Sequence, residues 1–355
     1  MSDRTLLHIE EIVKEAPHTI TIHFAQPEQA FSYLSGRFLT LICDVGGKEE
    51  RRSYSLCSSP YVDKQLSITI KRVKGGKMSN YLIDNLKAGD KIAVLPPVGN
   101  FTYKPQDASR QIVLIGGGSG ITPLFSIIKS ALVHEPNSTV SLIYVNSCRE
   151  HTIFYEQLES LSSKYESRFR VVHYWSDRQP NTGFFYRLFS KKNNHRINAA
   201  RLKSIFEDLA IGKEHNSEFY LCGPQGLMEM ATSTIRKIGF PKEIIHKELF
   251  HAAEQAENSS AKPSQEHLVK ILFKGKEHQV GVATGTTVLF AGLEHGIDLP
   301  YSCQSGSCNS CAAKCISGKI AMSTTEGLTE EQIKNGYVLT CVGYPQSDDV
   351  VIDVS

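Results

Sequence analysis

The sequence predicts three domains in series: an antiparallel β-barrel, a doubly wound parallel α/β sheet, and a small domain carrying four spaced cysteines. Three observations carry this. Short alternating apolar runs, punctuated by Gly, Pro and Asp, fill roughly the first 105 residues. From Arg110 to Phe250 the rhythm changes to strand, helix, strand. Beyond a polar stretch at 251–266, Cys303, Cys308, Cys311 and Cys341 follow the spacing C-x4-C-x2-C-x29-C.

In the first region, HTITIHFAQP, RFLTLICDVGGK, RSYSLCSS, LSITIKRVKGGK and KIAVLPPVGNF read as about five strands, with one helix from Ser79 to Leu86. In the second, QIVLIG is a continuous apolar run of the kind buried on both faces, followed by a glycine turn and the helical LFSIIKSALV. TVSLIYVNS, RFRVVHYWS and EFYLCG continue as strands; FYEQLESLSSKY, INAARLKSIFEDL and LMEMATSTIRKIG continue as helices. The stretch from His251 to Glu266 is rich in Ala, Ser and Glu and has no apolar period, so it reads as a linker. After it come a hairpin (HLVKILFKGKEHQVGV), a helix (TVLFAGLEHG) and two strands (YVLTCV and DVVIDV).

The 355 residues suffice for two or three cores, and 41% hydrophobic with 21% charged residues fits an ordinary globular chain. A net charge of +2 offers no general basis for binding nucleic acid or a membrane surface. The opening MSDRTLLHIEEIV places charges within its first apolar stretch, which does not read as a signal peptide. No run approaches the roughly 18 apolar residues of a membrane span. The expected location is the cytoplasm, where thiols stay reduced. From His267 to Ser355 there are six Lys and nine Asp or Glu, net −3, against +5 for the remainder. An acidic domain beside a basic body suggests electrostatic docking.

The first three of the spaced cysteines lie within nine residues, so one loop can wrap them around a centre that the fourth closes. This is the ligand spacing of a plant-type 2Fe-2S cluster. Structural zinc also takes four thiolates but usually from paired C-x2-C knuckles, and here one cysteine stands alone. Gly306 lets the backbone curl, and the small Ser302, Ser305 and Ser307 leave amides free to face sulfur. Cys43, Cys57, Cys148 and Cys315 read as small hydrophobes or bystanders, with Cys315 nearest the motif.

Gly116 to Gly120 separate a buried strand from its helix, a place where amides and the helix N-terminus accept an anion. The dinucleotide template G-x-G-x-x-G becomes Gly118, Gly120 and Pro123 here, and proline is compatible with the first turn of a helix. Cys222, Gly223 and Pro224 end the last strand at the sheet's carboxyl edge. In the first domain, Arg52 supplies a forked donor for phosphate, Tyr54 a flat face and Ser55 a hydroxyl on one strand. Gly75 to Asn80 form a turn that opens a helix.

In this order the motifs resemble the ferredoxin-NADP reductase superfamily with a plant-type ferredoxin fused at the C-terminus. Through KRVKGGKMSN, NSCREHTIFYEQLESL and HKELF, the last with His246, Glu248 and Phe250, the chain most resembles the branch serving phenylacetyl-CoA epoxidases and ketosteroid hydroxylases. The resemblance implies an FAD-binding β-barrel at 1–106, an NAD(P)-binding α/β domain at 107–250, a linker at 251–266 and a β-grasp 2Fe-2S ferredoxin domain at 267–355. It implies that FAD is held by Arg52, Tyr54, Ser55, Lys71, Val73, Gly76, Lys77, Met78 and Ser79. The nicotinamide cofactor would be held by Gly118, Ser119, Gly120, Thr122, Arg149, Ser176, Arg178, Cys222, Gly223, Pro224 and Met228. Ser55, Cys222 and Phe250 would stand where hydride passes, and Cys303, Cys308, Cys311 and Cys341 would ligate the cluster.

The implied cofactors agree with elementary redox chemistry: a nicotinamide yields two electrons as hydride, a 2Fe-2S cluster takes one, and a flavin mediates between them. NADPH is favoured over NADH, because the strand ending in Asn146 and Ser147 has Arg149 nearby and Ser176 and Arg178 follow the next strand. Guanidinium groups suit a 2′-phosphate, although Asp177 intrudes between Ser176 and Arg178. The implied partner is an oxygenase; a Rieske oxygenase, a desaturase or a hybrid-cluster protein are alternative acceptors, and a redox-sensing binding module is the reading from another class.

Overall fold

The computed structural model describes residues 4–27, 31–177, 196–212, 216–250 and 266–354. Six strands, β1 (Thr5–Ala16), β2 (Thr19–Phe24), β3 (Phe38–Asp44), β4 (Glu49–Ser55), β5 (Ser67–Lys71) and β6 (Lys91–Val98), form an antiparallel sheet in the order β4-β3-β6-β1-β2-β5. A bridge between Leu56 and Ile68 brings the two ends of that order together into a barrel. Alternate side chains such as Leu7, Ile9, Ile22, Phe24, Leu39, Leu41, Ile68 and Ile70 fill the interior. Helix α1 (Lys77–Asn85) packs Met78 and Leu82 against it. Strand β1 was not anticipated from the sequence. Its pairing with β2 shifts register between Ile9 and Glu11, so the period-two pattern that announces a strand is interrupted.

The second domain contains β7 (Gln111–Gly117), α2 (Ile121–His134), β8 (Thr139–Asn146), α3 (Tyr155–Lys164), β9 (Phe169–Trp175), α4 (Ala199–Asp208), β10 (Ser217–Cys222), α5 (Gln225–Ile238) and β11 (Ile245–Glu248). The strands are parallel in the order β11-β10-β7-β8-β9. Helices α2 and α3 pack on one face, α4 and α5 on the other. The first of these layers also takes Phe101 and Tyr103 from the end of the barrel domain. Strand β11, whose last residue falls within HKELF, is a further element that the sequence did not announce.

The third domain contains β12 (Glu266–Phe273), β13 (Lys276–Ala283), α6 (Val288–Glu294), β14 (Ala312–Ser317), β15 (Ile320–Met322), α7 (Glu330–Lys334), β16 (Tyr337–Leu339), β17 (Gly343–Pro345) and β18 (Val350–Asp353). Its main sheet runs β13-β12-β18-β14-β16, with β12 and β18 parallel, and packs around Val288, Leu289 and Ala291 of α6. That is the β-grasp arrangement. Two expectations need correction. YVLTCV is not one strand: β16 ends at Leu339, and a single tight turn over Thr340–Val342 carries Cys341 toward the cysteine loop. Glu266, placed in the linker, opens β12; the rest of the linker, 251–265, lies outside the described residues.

Two seams join the domains. Between barrel and parallel sheet, Ser35 and Ser59 each share a hydrogen bond with Ser130 (2.5 and 2.7 Å), and Ser126 donates to Ser58 O (2.6 Å). Beside them Tyr103 donates to Glu135 (2.5 Å), which pairs with Arg110 (2.6 Å). Between barrel and cluster domain, Arg51 reaches Asp298 (3.3 Å), the hydroxyls of Thr40 and Ser302 meet, and Asn100 donates to Glu326 O (3.1 Å). No helix among the described residues is long and apolar enough to cross a membrane.

Candidate functional site: the junction of three domains

Because β7 and β10 are adjacent and their following helices pack on opposite faces, a crevice opens at their carboxyl ends. The two turns that line it interlock. A Cβ on Gly120 would be driven into the carbonyl of Cys222, one on Gly117 would lie 2.7 Å from Pro224 Cδ, and one on Gly223 would lie 2.9 Å from Gly117 N. Gly118 takes a left-handed φ of +54°, and its carbonyl accepts from the Tyr144 hydroxyl at 2.9 Å. Thr122 donates to Ser119 O at 3.0 Å. The single tight turn Gly118–Gly120 that leads into α2 has no side-chain cap, and because the Ile121 amide is spent on the carbonyls of Gly118 and Ser119 and Pro123 has none, an anion here would meet the amides of the turn and not those of α2. Lys71, the last residue of β5, brings Nζ within 3.9 Å of where a Cβ of Gly118 would stand, so a barrel cation overhangs this turn.

On the barrel side, Arg52, Tyr54 and Ser55 lie on β4. Arg52 pairs with Glu50 at 3.2 Å and donates to Arg51 O at 2.7 Å. Burial pushes the Tyr54 phenol upward, so it stays protonated across the physiological range. Val73 N donates to Ser79 Oγ (3.2 Å) and Gly76 N to Val73 O (3.0 Å), which folds residues 73–79 into a tight turn opening α1. A Cβ on Gly76 would approach Ser79 Oγ to 2.8 Å, and α1 begins without a side-chain cap. Lys77 is the first residue of that helix.

Met78 and Met228 differ from expectation. Both occupy first turns of helices, but Met78 is buried in the barrel core and Met228 in the layer beneath α4 and α5. An apolar, flexible side chain at these positions gains more from filling a core than from facing a crevice.

The strongest convergence involves Glu248, which sequence reading did not single out as a site residue. It ends β11 in register with Cys222 on β10, and its carboxylate accepts from the Ser55 hydroxyl at 3.2 Å. Burial pushes its carboxyl up to about 8; the Ser55 hydrogen bond opposes this, and negative charge on Cys303 adds to it. Burial likewise raises the Cys222 thiol well above its ordinary range, helped by Glu248. Ser55, Cys222, Glu248 and Cys303 therefore come from all three domains to one place. The available signal was a lone carboxylate in HKELF, between Lys247 and Leu249 and three residues after the apolar Ile245. Phe250, two residues on, is 45% exposed.

The cysteine loop has the build of a sulfur-ligated centre. Cys303 and Cys308 sulfurs stand 3.2 Å apart, the Ser305 amide donates to Cys303 at 3.4 Å, and Cys341 hydrogen-bonds with both Cys311 and Cys303. Hydrogen bonds from Cys308, and then from Cys341, hold the Cys303 thiol far below its ordinary value. Gly306 adopts φ +73°, and side chains at Gly306 and Gly327 would collide with Thr324 and with the Cys308 carbonyl. No three His, Cys, Asp or Glu side chains among the described residues form a cage for a single ion. The four thiols form one connected group, Cys308 beside Cys303, Cys303 beside Cys341 and Cys341 beside Cys311, a donor set of the composition that a 2Fe-2S cluster takes. Cys315 is elsewhere: its thiol donates to Ser317 O at 3.3 Å.

At the far edge of the crevice, Arg149 is exposed, lies over the Tyr155 ring at 4.3 Å and approaches Glu156 at 3.5 Å. The Ser176 amide donates to Asn146 O and that of Asp177 to Ser147 O, at 2.9 and 2.8 Å, which extends the β8–β9 pairing. Arg178 lies outside the described residues.

Three family models match the chain in sequence order. They are an oxidoreductase FAD-binding domain over residues 5–103, an oxidoreductase NAD-binding domain over 114–233 and a 2Fe-2S iron-sulfur cluster binding domain over 271–346. Among curated relatives, one of the subunits of 1,2-phenylacetyl-CoA epoxidase from Escherichia coli (strain K12) is 33% identical over 354 residues, covering 98% of this chain and 96% of that protein. The ferredoxin reductase component of 3-ketosteroid-9-alpha-monooxygenase from Rhodococcus rhodochrous is 34% identical over 365 residues, covering 99% and 97%. Among solved structures, phthalate dioxygenase reductase superposes with a TM-score of 0.60 at 24% identity, covering 99% of this chain and 98% of that one.

Proposed function

The chain belongs to the family of NAD(P)H-dependent flavin and 2Fe-2S reductases that includes these two relatives, and on that premise we propose that it is the reductase component of an oxygenase system, with its chemistry centred on Ser55, Cys222 and Glu248. A bound flavin would supply the link between the two-electron chemistry of a nicotinamide and the one-electron chemistry of a 2Fe-2S cluster. The observation that carries the assignment of the site is the meeting of those three residues with Cys303.

Each element has a physical task. The interlocked glycine turns receive the dinucleotide phosphates, with Lys71 adding positive charge from above. Arg52 and the turn at 73–79 hold the flavin's phosphates, and Tyr54 offers its ring face. Ser55 holds a hydroxyl proton at the site, and Glu248 orients that hydroxyl by accepting from it. Cys222 and Phe250 wall the place where the nicotinamide ring must lie, Cys222 as a neutral thiol and Phe250 as an apolar cover. Cys303, Cys308, Cys311 and Cys341 hold the cluster.

NADPH is the proposed donor, on the guanidinium of Arg149 and the lack of a carboxylate at Asn146 and Ser147. The acceptor is proposed to be an oxygenase, with a phenylacetyl-CoA epoxidase the first to test, and the location the cytoplasm. Anaerobic addition of NADPH or NADH to the holoprotein, followed by visible absorbance, tests the scheme. Flavin and cluster bands should bleach together, with kcat/KM higher for NADPH. Absence of bleaching with both donors would sink the reductase reading; an NADH preference would overturn only the choice of donor.

A further inference from the structure

Arg51 has no place in the tasks above, yet it is 5% exposed at the boundary of two domains. Its guanidinium pairs with Glu49 (2.7 Å) on its own strand and with Asp298 (3.3 Å) of the cluster domain, and lies over the Tyr301 ring at 4.5 Å. Only Leu299 and Pro300 separate Asp298 from Tyr301, Cys303 follows directly after Ser302, and no helix or strand intervenes between Asp298 and Cys303. Each polar side chain from Asp298 to Ser302 meets the body: Asp298 and Tyr301 at Arg51, Ser302 at Thr40, which is itself hydrogen-bonded to Ser53 at 3.0 Å. A segment with no secondary structure of its own takes its position from what it touches, so these contacts determine where Cys303 stands relative to Ser55 and Glu248.

We propose that Arg51 is a positioning residue for electron transfer: by gripping Asp298 and Tyr301 it docks the segment 298–303, and with it the first cluster ligand, onto the flavin-binding barrel. The proposal rests on the reductase reading for its purpose but on these contacts for its geometry. Arginine suits the task because its planar fork can serve two carboxylates while its face lies on an aromatic ring, which an ammonium cannot do. Glu49 stays with Arg51 whether or not Asp298 is present, so release of the cluster domain does not strand a buried charge. The uneven charge, net −3 after His267 and +5 before it, acts in the same direction.

The test is a double-mutant cycle in the full-length holoprotein with Arg51→Gln, Asp298→Asn and both together, read three ways. In stopped flow, flavin reduction by nicotinamide should stay at the wild-type rate in all three. Cluster reduction should slow about tenfold with Arg51→Gln, less with Asp298→Asn, which leaves the Tyr301 contact in place, and no further in the double variant than in Arg51→Gln, since the Arg51–Asp298 contact is already lost there. The wild-type cluster reduction should slow as salt rises, and that of Arg51→Gln should not. Amide hydrogen exchange across 298–303 should quicken in every variant. Wild-type cluster reduction in both single variants, multiplicative losses in the double, or unchanged exchange would each overturn the docking role. A wild-type flavin that no nicotinamide reduces would instead overturn the reductase reading, and the exchange measurement would still report on docking.

Discussion

Where the barrel meets the parallel sheet, Arg110 and Glu135 pair with side chains 2% and 1% exposed; where it meets the cluster domain, Arg51 pairs with an Asp298 that is 69% exposed. The first seam extends inward. Glu135 also accepts from Tyr103, Ser138 and the Gln106 amide, Arg110 also reaches Glu218 and Lys104 O, and Glu218 binds His246 at 2.7 Å. Opening it would take the Tyr103 hydroxyl, the Gln106 amide and the Lys104 carbonyl away from the buried Arg110–Glu135 pair and break the buried serine contacts at Ser130, so nothing in its construction supports a populated open state. The second seam has one well-solvated partner and an alternative carboxylate already in place at Glu49, so it can open at small cost. The difference separates a permanent joint, across which the nicotinamide and flavin halves of the site must stay in register, from a releasable one.

The largest effect that would sharpen this contrast comes from Cys308→Ser. It should leave nicotinamide-driven flavin bleaching intact while electron delivery to a ferredoxin-type acceptor falls to background; retained delivery would contradict an exit through the cluster. Next is Glu135→Leu, expected to destabilise the body by about 3–5 kcal/mol in urea unfolding, because Arg110 and Tyr103 lose a buried partner. Asp298→Asn in the same assay should cost less than about 1 kcal/mol, and equal losses at the two positions would erase the distinction.

Acid should act on the permanent seam in the same sense. Burial opposes ionisation of Glu135, but hydrogen bonds from Arg110, Tyr103 and Ser138 outweigh it and hold the carboxyl below its ordinary value. Burial, and then the Arg110 charge, push His246 below its own. In both cases the unfolded chain binds more protons than the folded one. Their contribution is therefore complete above about pH 6.5 and is lost as pH falls, first through the His246 range and then below about 4.3 through that of Glu135. Glu248, held up to about 8, works in the opposite sense above about pH 4.3, so the seam is read by difference: below that pH the melting temperature should fall less in Glu135→Gln than in the wild type. The smallest effect is ionic strength: from about 0.05 to about 0.5 M salt, reduction of a partner by the acidic domain should slow a few-fold, while the urea midpoint of the body shows no matching change.

Much of this was legible in the sequence because it depends on local pattern. Cysteine spacing, the glycine turns and the change from period-two strands to a strand–helix alternation are readable without knowing what packs where. The parts that escaped depend on partners distant in sequence. Glu248 looks like any carboxylate near a strand end until β11 is laid beside β10 and Ser55 arrives from the barrel. Arg51 and Arg52 are neighbours in RRSYS, but successive strand residues point to opposite faces, so the two arginines serve different domains. Strand β1 was hidden by its irregular register at Ile9 and Glu11, and Met78 and Met228 were drawn into cores because apolar burial dominates wherever a helix's inner face is available.

The segment from Asp298 to Cys303 is six consecutive residues, and it carries the grip on Arg51, the contact with Thr40 and the first cluster ligand together. A docking code this short is portable. A 2Fe-2S domain from another reductase could be transplanted onto this body, or this one onto a foreign flavin barrel, by matching that hexapeptide to Arg51 and Thr40 and keeping the Asn100 contact with Glu326, with the remainder of the β-grasp surface left free to diverge with the oxygenase it serves.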